Sequence, residues 1–280
     1  MTPVAFTLWS FGASIVAGVV GSLLGLGGGI IVIPVLTLLL GVPIHYAIGA
    51  SIVCIIATSS GAAAGYVRER MTNLRVAMLL EIGTTSGAIS GAVIAGVISP
   101  RWLFIIFGLV LGYSALAMFR KRHEITAEVV PPDRMSDRFK LHGSYYDEAI
   151  GREISYRVTR APLGLVLMYI AGVVSGLLGI GSGSLKVPAM DLGMRLPIKV
   201  STATSNFMIG VTGAASAGVY FSRGEINPFI AAPVAAGVLL GAWAGSHLLG
   251  RLQGKWIRLL FVVVLLWVSA QMLWKGTFWR

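Results

Sequence analysis

The stretch GSLLGLGGGIIVIP at residues 21–34 and its counterpart SGLLGIGSGSLKVP at residues 175–188 decide the fold, because each places a dense glycine cluster inside an apolar run. A glycine-rich loop can cradle a phosphate, but a dinucleotide fingerprint needs a strand-turn-helix unit followed by a ribose-binding acid. Both stretches lack that context. The glycines therefore need an explanation other than nucleotide binding.

The composition is that of a polytopic membrane protein. Of the 280 residues, 56% are apolar and 12% are charged, which exceeds what a soluble core of this size can bury. Two short apolar pieces, 29–40 and 184–194, follow the glycine stretches directly. The longer apolar stretches are each close to the ~20 residues that cross a bilayer as helix, and they are 6–24, 45–66, 76–98, 102–119, 162–180, 198–221, 229–249 and 257–274.

Other sequence features exclude several function classes. The first apolar segment has no basic flank and is long enough to span, so we interpret it as a retained helix, not a signal peptide. The lone Cys54 matches no metal spacing, and the sequence predicts neither metal nor cofactor. The net charge of +11 lies in loops and helix ends, which is typical of a multi-pass membrane protein, and no basic, aromatic stripe indicates a nucleic-acid partner.

The chain contains an internal duplication. Residues 17–73 align with residues 171–227 without a gap, and about a third of the positions are identical. Duplicated halves with a glycine-interrupted hydrophobic segment in the same place indicate the binding site of a secondary transporter. The predicted fold is an all-α membrane protein of two homologous repeats with discontinuous or re-entrant helices.

The predicted division is a first transmembrane repeat at 1–119, a cytoplasmic polar loop at 120–160 and a second repeat at 161–280. Within the loop, GSYYDEAIGREISYRV at 143–158 has two short aromatic and β-branched stretches about a glycine-containing turn, which predicts a hairpin. We interpret the loop as a cover for the inner face, with a signalling role as the alternative.

The topology depends on whether the two short apolar pieces count as passes. If they do, the halves are inverted, both termini lie outside, and the cluster of Arg251, Lys255 and Arg258 faces the cytoplasm. If they do not, the halves are parallel and this cluster faces out. The positive-inside rule favours the inverted arrangement.

The glycine clusters predict an anion site. A helix that stops within a bilayer leaves backbone groups that protein, water or a solute must satisfy, and the N-terminus of the next helix favours an anion. The alternative is that the glycines only let helices pack closely. The predicted substrate-binding residues are Gly27, Gly28, Gly29, Ser51, Gly181, Ser182, Gly183, Ser184, Lys186, Thr204, Ser205 and Asn206.

Three charged residues fall within membrane segments, where an ionisable group is a functional hypothesis. Lys186 follows the second glycine cluster and offers a positive charge to an anion, unless it forms a structural pair with Asp191. Glu81 is a candidate for carrying a coupled proton, and the alternative is that it pairs with Arg75 or reaches the interface.

The sequence resembles the sulfite exporter family TauE/SafE. The resemblance lies in the two glycine stretches, in PIHYAIGAS at 43–51 and in TATSN at 202–206. Three departures from the family pattern are an Ile inserted between Pro43 and His45, Ala50 in place of Thr, and Ser182 in place of Gly. The resemblance implies a secondary transporter that moves sulfite, an organosulfonate or a related small anion across the inner (plasma) membrane without ATP.

The predicted function is therefore alternating-access transport of a small sulfur oxyanion, with the lipid bilayer as surroundings. The alternatives are an anion channel, a sensor and a membrane-embedded enzyme. The sequence contains no H-E-x-x-H motif and no Ser-His-Asp set placed at one depth, so we predict that the chain is not an enzyme. Whether it forms a homo-oligomer stays open.

Overall fold

A computed structural model describes residues 2–68, 71–120, 133–249 and 251–278, and it is mainly helical. Its two strands, β1 Gly143–Asp147 and β2 Arg152–Tyr156, pair antiparallel. The helices, in chain order, are α1 Pro3–Leu24, α2 Gly29–Pro34, α3 Ile44–Arg68, α4 Leu74–Ala95, α5 Pro100–Arg120, α6 Arg134–Arg138, α7 Ala161–Leu178, α8 Gly183–Pro188, α9 Ile198–Ser222, α10 Pro228–Leu249 and α11 Gly254–Thr277.

Among the described residues, seven helices are long and apolar enough to cross a membrane: α1, α3, α4, α5, α7, α10 and α11. The stretch 198–221, which was predicted as an eighth apolar span, forms helix α9 but does not belong to this apolar class. Helix α9 is as long as the others, but its hydroxyl, amide and lysine side chains make it too polar for this class. Every residue from Ile198 to Asn206 is buried, so protein, not lipid, surrounds these polar groups.

Exposed aromatic side chains lie near the ends of the apolar helices. Trp102 lies in the first turn of α5, Trp256 in the first turn of α11 and Trp274 in its last turn, and each is more than half exposed. Indole rings at these positions are typical of the interface between lipid headgroups and hydrocarbon. The protein therefore presents the surface of a multi-pass membrane protein.

Helix α1 ends at Leu24 because Gly25 adopts a left-handed conformation with φ of 70°. Gly27 and Gly28 also have positive φ, at 76° and 70°, and α2 starts at Gly29. Such a sequence of conformations is accessible to glycine at little cost. Helix α2 then continues as a π-helical turn over Val35–Leu39.

The second half repeats this local structure with one difference. Gly179 ends α7 with φ of 65°, Gly181 has φ of 75°, and α8 continues as a π-helical turn over Ala189–Gly193. Ser182 stands at the position of Gly28 and also adopts the left-handed conformation, with φ of 57°. A non-glycine residue there costs about 1–2 kcal/mol, so the surrounding structure must hold it in place.

Helices of the two halves pack side by side through glycines. A Cβ added to Gly91 of α4 would lie 1.9 Å from the Val173 carbonyl oxygen of α7, and one added to Gly241 of α10 would lie 2.0 Å from the Ile15 carbonyl oxygen of α1. Such close approach is the usual way in which membrane helices gain packing contact. Close helix packing, which was the alternative explanation for the glycines, therefore accounts for some of them.

The hairpin packs against the starts of α4 and α9, and we call this end of the bundle the hairpin face. Asn73, the N-cap of α4, donates from Nδ2 to the Leu141 carbonyl at 2.8 Å and to the Tyr156 hydroxyl at 3.0 Å. Thr159 N–H donates to the Met194 carbonyl at 3.2 Å. The polar loop is thus hydrogen-bonded to both halves.

Asp133 fastens the loop to the start of α7. Its carboxylate accepts hydrogen bonds from Ala161 N at 2.8 Å, Ser136 Oγ at 2.7 Å and Met135 N at 3.1 Å. Burial acts to raise the pKa of Asp133, but these hydrogen bonds stabilise the carboxylate and hold its pKa below the ordinary value.

Candidate functional site

The two glycine breaks, residues 25–29 and 179–183, lie against each other. A Cβ added to Gly183 would lie 2.1 Å from the Gly25 carbonyl oxygen, and one added to Gly29 would lie 3.5 Å from the Gly179 carbonyl oxygen. The added Cβ of Gly29 would also come within 2.2 Å of Ser51 Oγ. Main chain meets main chain here, and no larger residue fits at Gly183.

Two serines tie the breaks together in a crossed arrangement. Ser51 Oγ on α3 donates to the Gly179 carbonyl at 2.6 Å, and Ser205 Oγ on α9 donates to the Gly25 carbonyl at 2.7 Å. Each serine thus satisfies a carbonyl at the break in the other half. Because the hydroxyl protons are used in this way, Ser51 and Ser205 offer an anion no donor in this conformation.

Neighbouring polar side chains also hold main-chain groups. Asn206 Nδ2 donates to the Ser22 carbonyl at 2.6 Å, and Asn73 N–H donates to Thr204 Oγ1 at 3.0 Å. Thr204 therefore keeps its own hydroxyl proton available. Thr58 on α3 donates to the Gly27 carbonyl at 3.0 Å.

Lys186 is the only predicted site residue with a cationic side chain, and it is fully buried in α8. Its Nζ donates to Thr212 Oγ1 at 2.6 Å and lies 3.6 Å from Glu81 Oε2. Thr212 Oγ1 in turn donates to Glu81 Oε1 at 2.6 Å, and Thr85 donates to the same oxygen at 3.0 Å. Helices α4, α8 and α9 thus bring a cation, a hydroxyl and a carboxylate into one cluster.

The suggested pair of Lys186 with Asp191 was wrong. Residues five apart on a helix point about 140° away from each other, and Asp191 contacts Arg258 of α11, whose Nη2 lies 2.9 Å from Oδ2. The suggested pair of Glu81 with Arg75 was wrong for a similar reason, because residues six apart also face different directions. Arg75 instead donates to the Lys140 carbonyl at 3.0 Å.

Several buried polar atoms at the site have no hydrogen-bond partner among the described residues. They include Ser184 Oγ, Thr202 Oγ1 and Asn206 Oδ1. Ser182 Oγ, by contrast, donates to the adjacent Gly181 carbonyl at 2.7 Å. Since nearly all buried polar atoms are hydrogen-bonded in folded proteins, the unpaired hydroxyls of Ser184 and Thr202 are suited to receive a ligand.

The dipoles of the short helices contribute less positive charge to the site than the sequence predicted. Helix α2 and helix α8 each have six residues before the π-helical turn. The helix-end charge arises from aligned peptide units, so a segment of under two turns supplies only part of it. The fixed positive charge at this site therefore comes mainly from Lys186.

The predicted site list omitted Thr212 and Thr202. Thr212 was visible as the partner of Thr58 in the internal duplication, and Thr202 belongs to the hydroxyl run at the start of α9. The link between Thr212 and both charged residues depends on the packing of three helices, which the sequence does not display. No group of three or more His, Cys, Asp or Glu side chains within the described ranges is placed to hold a metal ion.

Comparison with known proteins decides the family. The family model described as Sulfite exporter TauE/SafE matches residues 10–272. The chain belongs to the sulfite exporter TauE/SafE family. The family resemblance of the sequence is thereby confirmed, and the chain is a multi-pass membrane protein of a transporter family.

Relatives extend over nearly the whole chain. The probable membrane transporter protein YunE of Bacillus subtilis is 28% identical over 271 residues, which cover 94% of this chain and 96% of that protein. A probable membrane transporter protein of Xylella fastidiosa is 25% identical over 265 residues, covering 92% and 93%. YdhB of Bacillus subtilis, with the same description, is 25% identical over 230 residues, covering 82% and 84%. No solved structure matches the chain.

Proposed function

We propose that this TauE/SafE protein is a secondary transporter of a small anion, with sulfite, an organosulfonate or a related sulfur oxyanion as substrate. It works by alternating access around a midplane site between the two repeats. The observation that carries the proposal is the buried Lys186, 3.6 Å from Glu81 and directly after the second glycine break. A buried cation with one carboxylate partner is suited to exchange that partner for a substrate anion.

The neighbouring groups suit a small oxyanion. Lys186 supplies the charge, and the unpaired hydroxyl of Ser184, two residues earlier in the same short helix, supplies a neutral donor that can orient a sulfur-bound oxygen. Neutral donors give specificity for the shape of the anion without holding it so tightly that release is slow. Ser51 and Ser205 have a positioning role, because their crossed hydrogen bonds fix the glycine breaks.

Glu81 links anion binding to a proton. When an anion takes its place beside Lys186, Glu81 becomes a carboxylate without its cation in a largely buried position. An unpaired buried charge is costly, and proton uptake removes it. Anion and proton then bind together, and the transporter moves both in the same direction.

An inverted arrangement of the repeats is supported by the opposite directions of the counterparts α3 and α9. Asn73 N–H, just after α3, donates to Thr204 Oγ1 near the start of α9, and Gly49 near the start of α3 lies against Glu225, just after α9. The contacts between the halves also match. Helix α1 packs on α10, and its counterpart α7 packs on α4; α3 packs on α9, and α5 packs on its own counterpart α11. Each contact maps onto another when the halves are exchanged. We place the hairpin face in the cytoplasm of a cell with this protein in its inner membrane, because Arg75, Arg195, Arg251 and Lys255 lie at that end.

Counterflow in proteoliposomes tests the proposal. Vesicles that contain the purified protein are loaded with unlabelled sulfite and diluted into radiolabelled sulfite, and uptake is compared with that of empty vesicles. A carrier accumulates label transiently because both anions use one alternating site. Uptake that neither saturates nor shows counterflow would indicate a channel, and appearance of a chemically altered product would indicate an enzyme.

A further inference from the structure

A second buried ion pair joins the hairpin to the membrane helices. Lys199, in the first turn of α9, donates from Nζ to Asp147 Oδ1 at 2.7 Å, and the two side chains are only 2% and 4% exposed. Asp147 ends β1, and its carboxylate also accepts a hydrogen bond from Ala149 N at 3.0 Å. A carboxylate of the polar loop therefore reaches the buried start of a membrane helix.

Stability alone gives little reason for this pair. The free energy of removing both charges from water is comparable with their attraction, and apolar residues of similar size often stabilise a protein as well or better. A buried pair between a loop and a helix is, in contrast, suited to a contact that must open, because water or another ion can replace either partner.

One face of α9, polar except at Ile209, extends from this pair to the candidate site. Steps of three or four residues keep to one face of a helix, and such steps pass through Lys199, Thr202, Ser205, Ile209 and Thr212. All five side chains are buried. The last of them accepts a hydrogen bond from the lysine of the candidate site. The face covers about 20 Å of helix, so it joins the hairpin face to the interior.

We propose that Lys199 is a second anion site, at the hairpin-face end of this side of α9, and that the Asp147 carboxylate is its tethered occupant. A carboxylate, a sulfite and a sulfonate all present oxygens that share a negative charge, so one ammonium group accepts any of them. Thr202, whose buried Oγ1 has no hydrogen-bond partner within the described residues, lies one helical turn further on and supplies a donor.

The hairpin is thus an internal competitor of the substrate. Without anion, Asp147 holds the hairpin against the start of α9 and covers Lys199. A bound anion takes over Lys199, and the hairpin loses its ion pair. This inference rests on the proposed function only for the chemical class of the anion.

Equilibrium binding of radiolabelled sulfite to purified protein at constant ionic strength tests the inference. Asp147→Asn keeps the size of the side chain but removes its charge, so it should bind one more sulfite per chain than the wild type, or bind sulfite about tenfold more tightly. The additional binding should disappear in Asp147→Asn/Lys199→Met. Glu153→Gln, which removes an exposed hairpin carboxylate bonded to Ser144, is the matched control and should bind as the wild type does.

Two further measurements keep the result interpretable. Additional sulfite bound by Asp147→Asn/Lys186→Met would show that the Lys199 site does not depend on the Lys186 site. A failure of the Lys199 site can therefore be distinguished from a failure of the proposed function. For the wild type, sulfite should accelerate amide exchange of residues 143–156 at least about threefold relative to chloride. Identical sulfite binding by Asp147→Asn and wild type would overturn the inference. If that variant does not fold, unchanged hairpin exchange at saturating sulfite would overturn it.

Discussion

Ser51 of the first half donates a hydrogen bond of 2.6 Å to the carbonyl of Gly179 in the second half. The matching serine of the second half, Ser205, makes the matching bond to Gly25 at 2.7 Å. The two glycine breaks are therefore held by each other's half of the chain. Whatever rearranges one break must disturb a hydrogen bond that belongs to the other.

The crossed hydrogen bonds predict equal effects of two distant substitutions. Ser51→Ala and Ser205→Ala each leave a buried carbonyl without its donor, which should lower the free energy of unfolding by about 1–3 kcal/mol. Chemical unfolding in detergent measures this change. Ser60→Ala is the control, since Ser60 is exposed and bonds only within its own helix. A loss in one serine variant without the other would contradict the equivalence of the breaks.

The cluster at Lys186 predicts a compensating pair of substitutions. Lys186→Met leaves Glu81 buried without its cation and should lower the free energy of unfolding by about 3–5 kcal/mol. Glu81→Gln added to it removes the orphaned charge and should restore most of that loss. A double-mutant cycle from thermal or chemical unfolding measures the coupling. Additive effects of the two changes would show that the residues do not interact.

The left-handed conformation of Gly25 at the end of α1 predicts that the effect of replacing a glycine by alanine depends strongly on which glycine is replaced. Gly25→Ala forces alanine to φ of 70° and brings its Cβ within 2.9 Å of the Thr202 carbonyl oxygen. We expect poor yield of folded protein or a large drop in melting temperature. Gly12→Ala is the control, because a Cβ there meets no atom within 4 Å. The yield of folded protein and the melting temperature are measured for both variants, and similar values would exclude strain at Gly25.

The depressed pKa of Asp133 predicts a pH effect on the loop. A carboxyl whose pKa is lower in the folded state contributes stability that is complete above the unfolded pKa and is lost as the pH falls through the folded one. The melting temperature of the wild type should therefore exceed that of Asp133→Asn at about pH 6 and approach it at about pH 3. A difference that stays constant over this range would contradict the assignment of the stabilising hydrogen bonds to the ionised form.

Local sequence signals predicted the features that depend on composition and spacing. Apolar length indicated the membrane helices, and the duplicated glycines indicated where helices α1 and α7 end. Gly25 and Gly179 could be paired because both lie in aligned copies of one motif. These inferences need no knowledge of how the helices pack.

The partners of the charged residues could not be predicted in this way. Lys186 meets Glu81, more than a hundred residues earlier in the chain, because α4 and α8 converge on α9. Asp147 meets Lys199 because the hairpin folds back onto the start of α9. Asp191 lies close to Lys186 in the sequence, but the two side chains point to different sides of the helix, so closeness in the sequence did not identify the ion pair.

The most direct test of the proposed anion site is the binding of sulfite to Lys186 variants that remain folded. Thermal unfolding of the detergent-purified protein is followed while sulfite, sulfate, thiosulfate, taurine, sulfoacetate and small carboxylates are titrated, since a ligand of the folded state raises the melting temperature. The proposed site predicts a saturable rise with a sulfur oxyanion or sulfonate for the wild type. It predicts loss of that rise in the compensated variant Lys186→Met/Glu81→Gln. A rise of the same size and concentration dependence in both proteins would remove Lys186 from the site and contradict the proposed mechanism.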